Sequence, residues 1–291
     1  MFRLVALPDI HVPWHSWKAV DCVLQYLEAH EWDLLIQIGD FLDLDAVSRF
    51  NSGKPGLSEG RRLKADFDLG KRLWRQICEA ARAKNPKCET VMLEGNHEAR
   101  LKTFLETAPA LTGMLEIEEH LNLHETGTTY VPCDTEGLLF RLHWTPNGIK
   151  AQTVTPDTDP EDLAKPSIAF CHGLYHNKHH GFQTISRYGW GPIYYGHVHD
   201  AQRYQTERYG KLSFEAGSLG YLGRMWAPGT GVGYTKGRPM RWSHGFASFL
   251  INPEVAWDYT CVQYRMRREG FVGRDGVRYS PRIEASGGSV A

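Results

Sequence analysis

Apolar positions in the first hundred residues fall into two kinds of block. Leu4–Leu7, Leu34–Ile38 and Val91–Leu93 are short, nearly unbroken apolar runs, the pattern of strands buried on both faces. Between them, Trp17–His30 and Leu63–Lys84 carry apolar residues at helical spacing, with Leu69, Leu73, Ile77 and Ala81 stepping by four. The order strand, helix, strand, connection, helix, strand predicts a largely parallel sheet built from βαβ units. Asn51-Ser-Gly-Lys-Pro-Gly56 reads as a loop from its turn residues.

The pattern then changes. Residues 99–165 read as a partly helical insertion, with Leu101, Leu105, Leu111 and Leu115 on helical faces, ending in the polar, proline-rich stretch Thr153–Pro166. Strand signals return at Ile168–Phe170 and Ile193–Tyr195. Beyond Gly196 the pairs Arg203–Arg208 with Lys211–Glu215, and Phe246–Ile251 with Val255–Val262, predict antiparallel hairpins around Tyr209-Gly210 and Asn252-Pro253-Glu254. Residues 1–284 are expected to form a single domain that includes the 99–165 insertion, and 285–291 a flexible tail.

Each of five strand-like runs ends in a polar motif: Asp9-Ile-His11, Gly39-Asp40-Phe-Leu-Asp43, Gly95-Asn96-His97-Glu98, His172-Gly173 and Gly196-His197-Val-His199. Loops at the carboxyl ends of strands are where open α/β sheets place their sites. Two divalent cations held close together repel each other, and a carboxylate shared between them offsets part of that repulsion. Asp40, a short acid at the end of a buried strand, suits the shared position. Asp9, His11 and His199 would complete one ion's shell, and Asn96, His172 and His197 the other's. Mixed imidazole and carboxylate donors suit manganese, iron, zinc, cobalt or nickel better than calcium or magnesium. Such a pair can generate a nucleophile at neutral pH and clamp the attacked phosphorus. His97 follows a ligand position without being one, so it is the candidate to protonate a leaving oxygen, with Asp43 to orient its ring.

Each motif alone has an ordinary reading. Gly95–Glu98 could be a helix start with Asn96 as its N-cap, and an acid and a histidine after a strand are commonly a turn. Five in a fixed order are not explained that way. Around them, Arg49 and Arg100 are candidates for phosphate contact, as is the loop carrying His176, Lys178 and His179. Trp14 and Trp17 beside His15 suit packing, and Arg265-Met-Arg-Arg268 suits the guarding of an edge strand.

Composition narrows this little. Net charge is −1, so no global field draws the chain to nucleic acid, which leaves room only for a local basic groove. No apolar run approaches the ~20 residues of a membrane helix, and the N-terminal stretch reads as the first core strand rather than a signal peptide. The six cysteines show no CxxC pair, which fits reduced thiols in a cytoplasmic protein.

The ordered motifs resemble the calcineurin-like metallophosphoesterase superfamily. The resemblance implies a four-layer α/β/β/α sandwich with mixed sheets, in which the later strands fit the second sheet, and a dinuclear site. It also implies the roles above: Asp9, His11, Asp40, Asn96, His172, His197 and His199 on two metal ions, manganese foremost, with His97 and Asp43 at the chemistry. More narrowly, Gly39–Asp43 with Ser48-Arg-Phe50, Leu93–Glu98 with Arg100-Leu101, and Trp242–Phe246 are similar to phosphoesterases encoded by bacteriophages, which would place the protein in a host cytoplasm. Two departures bear on substrate. The phosphoprotein phosphatases of the superfamily carry arginines where this chain has Leu44 and Glu94, and its DNA-repair nucleases commonly carry aspartate at Glu98. The expected function is metal-dependent phosphodiester hydrolysis, through a metal-activated hydroxide, of DNA, RNA or a nucleotide. A phosphomonoesterase is the alternative, and a non-catalytic binding module on the same fold a remote one.

Overall fold

In a computed structural model, residues 1–51, 56, 59–132, 139–155, 157–188, 191–208, 212–218, 242–267 and 270–282 are described. Two six-stranded sheets face each other. The first has the order β12-β11-β1-β2-β3-β4, built from β1 (Phe2–Leu7), β2 (Leu34–Ile38), β3 (Glu89–Leu93), β4 (Thr128–Val131), β11 (Gly245–Ile251) and β12 (Tyr259–Arg265). β1 to β4 run parallel, as the alternating pattern requires, while β11 lies antiparallel to β1 and β12 antiparallel to β11. The second sheet has the order β6-β5-β7-β8-β10-β9, from β5 (Leu139–Thr145), β6 (Gly148–Val154), β7 (Ser167–Cys171), β8 (Ile193–Tyr195), β9 (Gln202–Arg208) and β10 (Leu212–Ser218).

Strand alternation divides the side chains into layers. Leu4, Ala6, Leu34, Ile36, Ile38, Val91 and Leu93 meet Phe140, Leu142, Ile168, Phe170 and Tyr194 between the sheets. The opposite side chains, Val5, Leu7, Leu35 and Met92, pack under α1 (Trp17–Ala29) and α2 (Leu63–Arg82). On the far side of the second sheet, Cys171, Ile193 and Tyr195 pack with Ile185 and Tyr188 of α6 (His180–Tyr188). The result is the α/β/β/α sandwich. Ser16 caps α1 by accepting from the Ala19 N–H at 3.3 Å. Leu73, Ile77 and Ala81 of the predicted stripe are buried, and Leu69 partly so.

Two expectations change. The segment 99–165 contains the short helices α3 (Arg100–Thr107), α4 (Ile117–His120) and α5 (Pro160–Leu163), yet its middle supplies β4, β5 and β6. That half belongs to the sandwich itself. Phe140, Leu142 and Trp144 alternating with Arg141 and His143 mark β5 as a half-buried strand, a signal that the reading as a helical insertion passed over, while the half-exposed β6 carries a fainter one. The last long hairpin also joins the first sheet, not the second. Phe246, Ala247, Phe249 and Ile251 in β11 are buried, as an inner strand's residues should be. The Tyr209-Gly210 turn, most of the 51–56 loop, Cys133, Arg268 and the 285–291 tail lie outside the described residues. No helix among the described residues is long and apolar enough to cross a membrane.

Candidate metal centre

β1, β2 and β3 end side by side, and so do β7 and β8 across the sandwich, so five loops meet at one edge. The backbone there is unusual. Asp9, His11, Asp40, His197 and His199 all have positive φ, between 39° and 69°. Residues with a Cβ seldom adopt this left-handed region, and its occupancy clusters at functional sites. Two glycines let the loops close. A Cβ on Gly95 would fall 2.2 Å from the Asp40 nitrogen, and one on Gly196 would fall 2.5 Å from Asp9 Oδ2.

Three overlapping groups of donors converge: Asp9, His11, Asp40 and His199; Asp40, His172 and His197; and His11, Asp43 and His97. Within each, the donor atoms lie within 4.8 Å of one another. Asp40 belongs to the first two. Its Oδ1 accepts from the His97 N–H at 2.9 Å, and its Oδ2 lies 3.2 Å from His172 Nε2 and 3.7 Å from His11 Nε2. Asn96 Oδ1 lies between two imidazoles, 2.9 Å from His172 Nε2 and 2.8 Å from His197 Nδ1. Asn96 does not cap α3, whose N-cap is Ala99. His11 Nε2 and His199 Nε2 face each other at 3.1 Å.

The donor set fits divalent cations. Asp9 Oδ1 accepts from the His197 N–H at 2.8 Å, while its buried Oδ2 has no hydrogen-bond partner. A buried carboxylate oxygen without a donor is costly, and a cation would satisfy it. Two facing imidazole nitrogens likewise attract only through a proton or a cation between them. Asp9, His11, Asp40 and His172 are buried, His197 and His199 are half-buried and Asn96 is exposed, so the centre opens on the Asn96 side.

Charge in the cluster is finely divided. Burial pushes Asp9 up to about 6. Burial also opposes ionisation of Asp40, but His172 and His97 outweigh it and hold that carboxyl well below its ordinary range. Burial lowers His197 to about 4 and His199 to about 3, keeping both imidazoles neutral, the form that binds metal. For His172 burial works against the charged form, yet the Asp40 carboxylate prevails and raises it to about 9. Cations at the centre would displace that proton.

His97 stands at the edge of this cluster. Its Nδ1 lies 3.1 Å from the Asp43 carbonyl oxygen and 3.6 Å from Asp43 Oδ1. The Asp43 carboxylate also reaches His11, with Oδ2 3.2 Å from Nδ1. Asp43 therefore meets both imidazoles, His97 chiefly through its main chain. Arg100 Nη2 lies 3.0 Å from His97 Nε2, and its Nη1 donates to the Asp43 carbonyl at 2.6 Å. Of the other expected substrate contacts, His176 approaches His197 with ring centroids 6.2 Å apart, and Lys178 lines a cavity beside Trp242. His179 is exposed beside α6, and Arg49 is exposed on the 3-10 turn Arg49–Asn51. His15 is buried with neither ring nitrogen hydrogen-bonded, its ring 4.0 Å from that of Trp17, and Arg61 covers Trp14.

Sequence reasoning gave Glu98 no task. Its buried carboxylate accepts from the backbone N–H groups of Asp40 at 3.0 Å, Gly95 at 2.9 Å and Leu42 at 2.6 Å, tying two ligand loops together. The signal was present, since an acid two residues after Asn96 invites a turn that folds back on the strand ends. Trp242, 4.6 Å from the His199 ring between centroids, was also given no role. No local pattern could have placed it there.

A family model described as calcineurin-like phosphoesterase matches residues 2–214. Among solved structures, Vps29 of Chaetomium thermophilum is similar over 99% of this chain and 100% of its own, at 13% identity and a TM-score of 0.43. Zinc-complexed Vps29 of Entamoeba histolytica is similar over 95% of this chain and 96% of its own, at 11% identity and a TM-score of 0.42. GAP50, the anchor in the inner membrane complex of Plasmodium, is similar over 97% of this chain and 89% of its own, at 11% identity and a TM-score of 0.41. No curated protein matches the chain.

Proposed function

Because the chain belongs to the calcineurin-like phosphoesterase family and is accordingly a metal-dependent phosphoesterase, we propose that it hydrolyses phosphodiesters, in nucleic acid or a nucleotide. Asp9, His11, Asp40 and His199 would hold one divalent ion, and Asp40, Asn96, His172 and His197 a second, with manganese the first choice. When bound, such a pair activates a hydroxide and withdraws charge from the phosphorus. His97 is the proton donor to the leaving oxygen. Asp43 orients its ring through Nδ1, and Arg100, whose N–H points at Nε2, must give way when that nitrogen carries the proton for the leaving oxygen. Glu98 sets the height of the Asp40 loop against the Gly95 loop.

One observation carries the diester reading. At the two positions where phosphoprotein phosphatases grip a terminal phosphate, Leu44 is fully buried and apolar, and Glu94 is tied to Lys102 at 2.7 Å. The guanidinium nearest His97, on Arg100, is already engaged by Asp43 and His97. Among the described residues, a monoester dianion thus finds no arginine at these two positions, and a diester, with one charge fewer, loses less by this. The narrower likeness to phage-encoded phosphoesterases supports nucleic acid as the diester. Reduced thiols at Cys78 and Cys88 suit action in a cytoplasm, a host's if a phage encodes the chain.

The test compares kcat/KM for bis-p-nitrophenyl phosphate and p-nitrophenyl phosphate with Mn²⁺. The diester is expected to be preferred, with both activities abolished in Asp40→Asn. A monoester preference that also vanishes in Asp40→Asn would replace this reading with the phosphomonoesterase.

A further inference from the structure

A cavity of about 550 Å³ opens beside the metal centre, lined by Lys178, Gln202, Trp242, Arg265 and Arg267, among others. We infer that it is the subsite for the nucleotide next to the scissile phosphate, and that the substrate is single-stranded nucleic acid. The inference rests on the diesterase reading above and goes further, to the strand state of the substrate and the side on which the chain lies.

Position comes first. Trp242 lines the cavity and also meets the ring of His199, with centroids 4.6 Å apart. The Ser243 N–H donates to the His199 carbonyl at 2.9 Å. The cavity wall is therefore continuous with a proposed ligand, His199. Its volume lies in the range of pockets that hold one small ligand, suited to a single nucleotide and too small for a duplex.

Chemistry comes second. Among the described lining residues are three cations, Lys178, Arg265 and Arg267, and one carboxylate, Asp200. That carboxylate accepts from Gln202 Nε2 at 2.7 Å and lies 3.8 Å from Arg265 Nη2. Arg265 also donates to the Ala201 carbonyl at 3.1 Å. The cationic surplus is thus carried by Lys178 and Arg267, both exposed. An aromatic wall with flanking cations is the arrangement that binds single strands: the ring stacks on any base, and the cations follow the backbone phosphates. Net charge of −1 over the whole chain makes this local surplus distinct. Arg265 and Arg267, read from sequence as guards of an edge strand, gain a ligand-facing role at the end of β12.

The test measures kcat/KM with Mn²⁺ for a single-stranded oligonucleotide, the matching duplex and bis-p-nitrophenyl phosphate. It uses the full chain and its Trp242→Ala, Trp242→Phe and Arg267→Glu variants. The parent should prefer the single strand to the duplex. Trp242→Ala and Arg267→Glu should each lower the ratio of oligonucleotide to small-diester kcat/KM by about 10-fold, as for a lost base stack, mostly through KM. Trp242→Phe should recover most of that ratio. A structural effect of Trp242 on His199 would depress both substrates alike and leave the ratio unchanged, which overturns the inference. Equal cleavage of duplex and single strand also overturns it. A parent that cleaves the small diester and no oligonucleotide refutes the subsite but not diester hydrolysis. A parent that cleaves no diester refutes the underlying reading.

Discussion

Arg100 Nη2 sits 3.0 Å from His97 Nε2, so an N–H of the guanidinium points at the ring nitrogen that faces away from Asp43. Burial disfavours the His97 imidazolium, yet the Asp40 and Asp43 carboxylates outweigh it and raise the imidazole above its usual range, with Arg100 pulling the other way. Arg100 thus sets both the direction of Nε2 and the ease with which it holds a proton. Replacing His97 by alanine should keep the metal content and lower kcat by ~10²–10⁴-fold, with a smaller loss for good leaving groups. Arg100→Ala should cost up to ~10²-fold, the scale of a misplaced group, and move the alkaline limb of the kcat–pH profile upward. In the double variant the loss should match His97→Ala alone, because both changes act through one ring. Additive losses would falsify the coupling.

Asp40 takes part in two donor groups and Asp9 in one. Asp40→Asn should therefore reduce bound metal from two ions per chain toward none at sub-millimolar Mn²⁺, whereas Asp9→Asn should retain one. Metal analysis of dialysed protein decides this. Two tightly held ions in Asp40→Asn would remove Asp40 from the shared position.

Glu98 offers a stability measurement. Three backbone donors meet at its buried carboxylate. Truncation to alanine strands all three, and at ~1–3 kcal/mol for an unsatisfied buried group the chain should lose about 3 kcal/mol or more against urea. Glu98→Gln should fall between, since its amide NH2 turns one acceptor into a donor facing a donor. An unchanged urea midpoint in Glu98→Ala would show that water or a loop shift replaces the carboxylate.

His15 yields a pH dependence. Burial lowers its pKa from the ordinary 6.5 to about 4, and neither ring nitrogen has a partner. The folded state therefore favours the neutral ring. Its contribution to stability is complete above pH 6.5 and is lost as pH falls toward 4. His15→Leu should make the change in Tm from pH 7.5 to pH 5 less destabilising by this one group's share, whatever the balance between the other lowered histidines, His11, His197 and His199 among them, and the raised carboxyls Asp9, Asp66 and Glu98, which act the opposite way. An identical change in parent and variant would show that His15 is hydrogen-bonded or solvated in the folded protein.

The strands that carry the metal motifs were legible because burial on both faces leaves continuous apolar runs, and such runs end where the chain meets the site. β5 and β6 were not. Phe140, Leu142 and Trp144 alternate with Arg141 and His143 as a half-buried strand's residues should, and Arg141 pairs with Gln152 of β6 across the outer face at 2.6 Å, but the leucines at helical spacing from Leu101 to Leu115 drew the whole segment into a helical reading. The placement of β11 beside β1 depends on pairing across more than 200 residues, which no local pattern encodes. In the site, residue types and order marked the ligand loops. What they could not convey was the second task of each motif: Glu98 bracing two loops, Asp43 serving two imidazoles, and Arg100 facing His97 rather than open solvent.

The left-handed backbone at Asp9, His11, Asp40, His197 and His199 has a consequence for how this protein can vary. Left-handed conformation costs a residue with a Cβ on the order of 1 kcal/mol, and glycine escapes that cost. At Asp9 and Asp40 that gain is offset, because each carboxylate accepts a backbone N–H, but at the half-buried His197 and His199 glycine would make the folded chain easier to reach while deleting a metal ligand. Selection for thermal survival alone should therefore enrich glycine at the His197 and His199 codons, and selection for turnover should remove it. The loops would then read, in a library sorted both ways, as a map of where folding and catalysis ask for different amino acids.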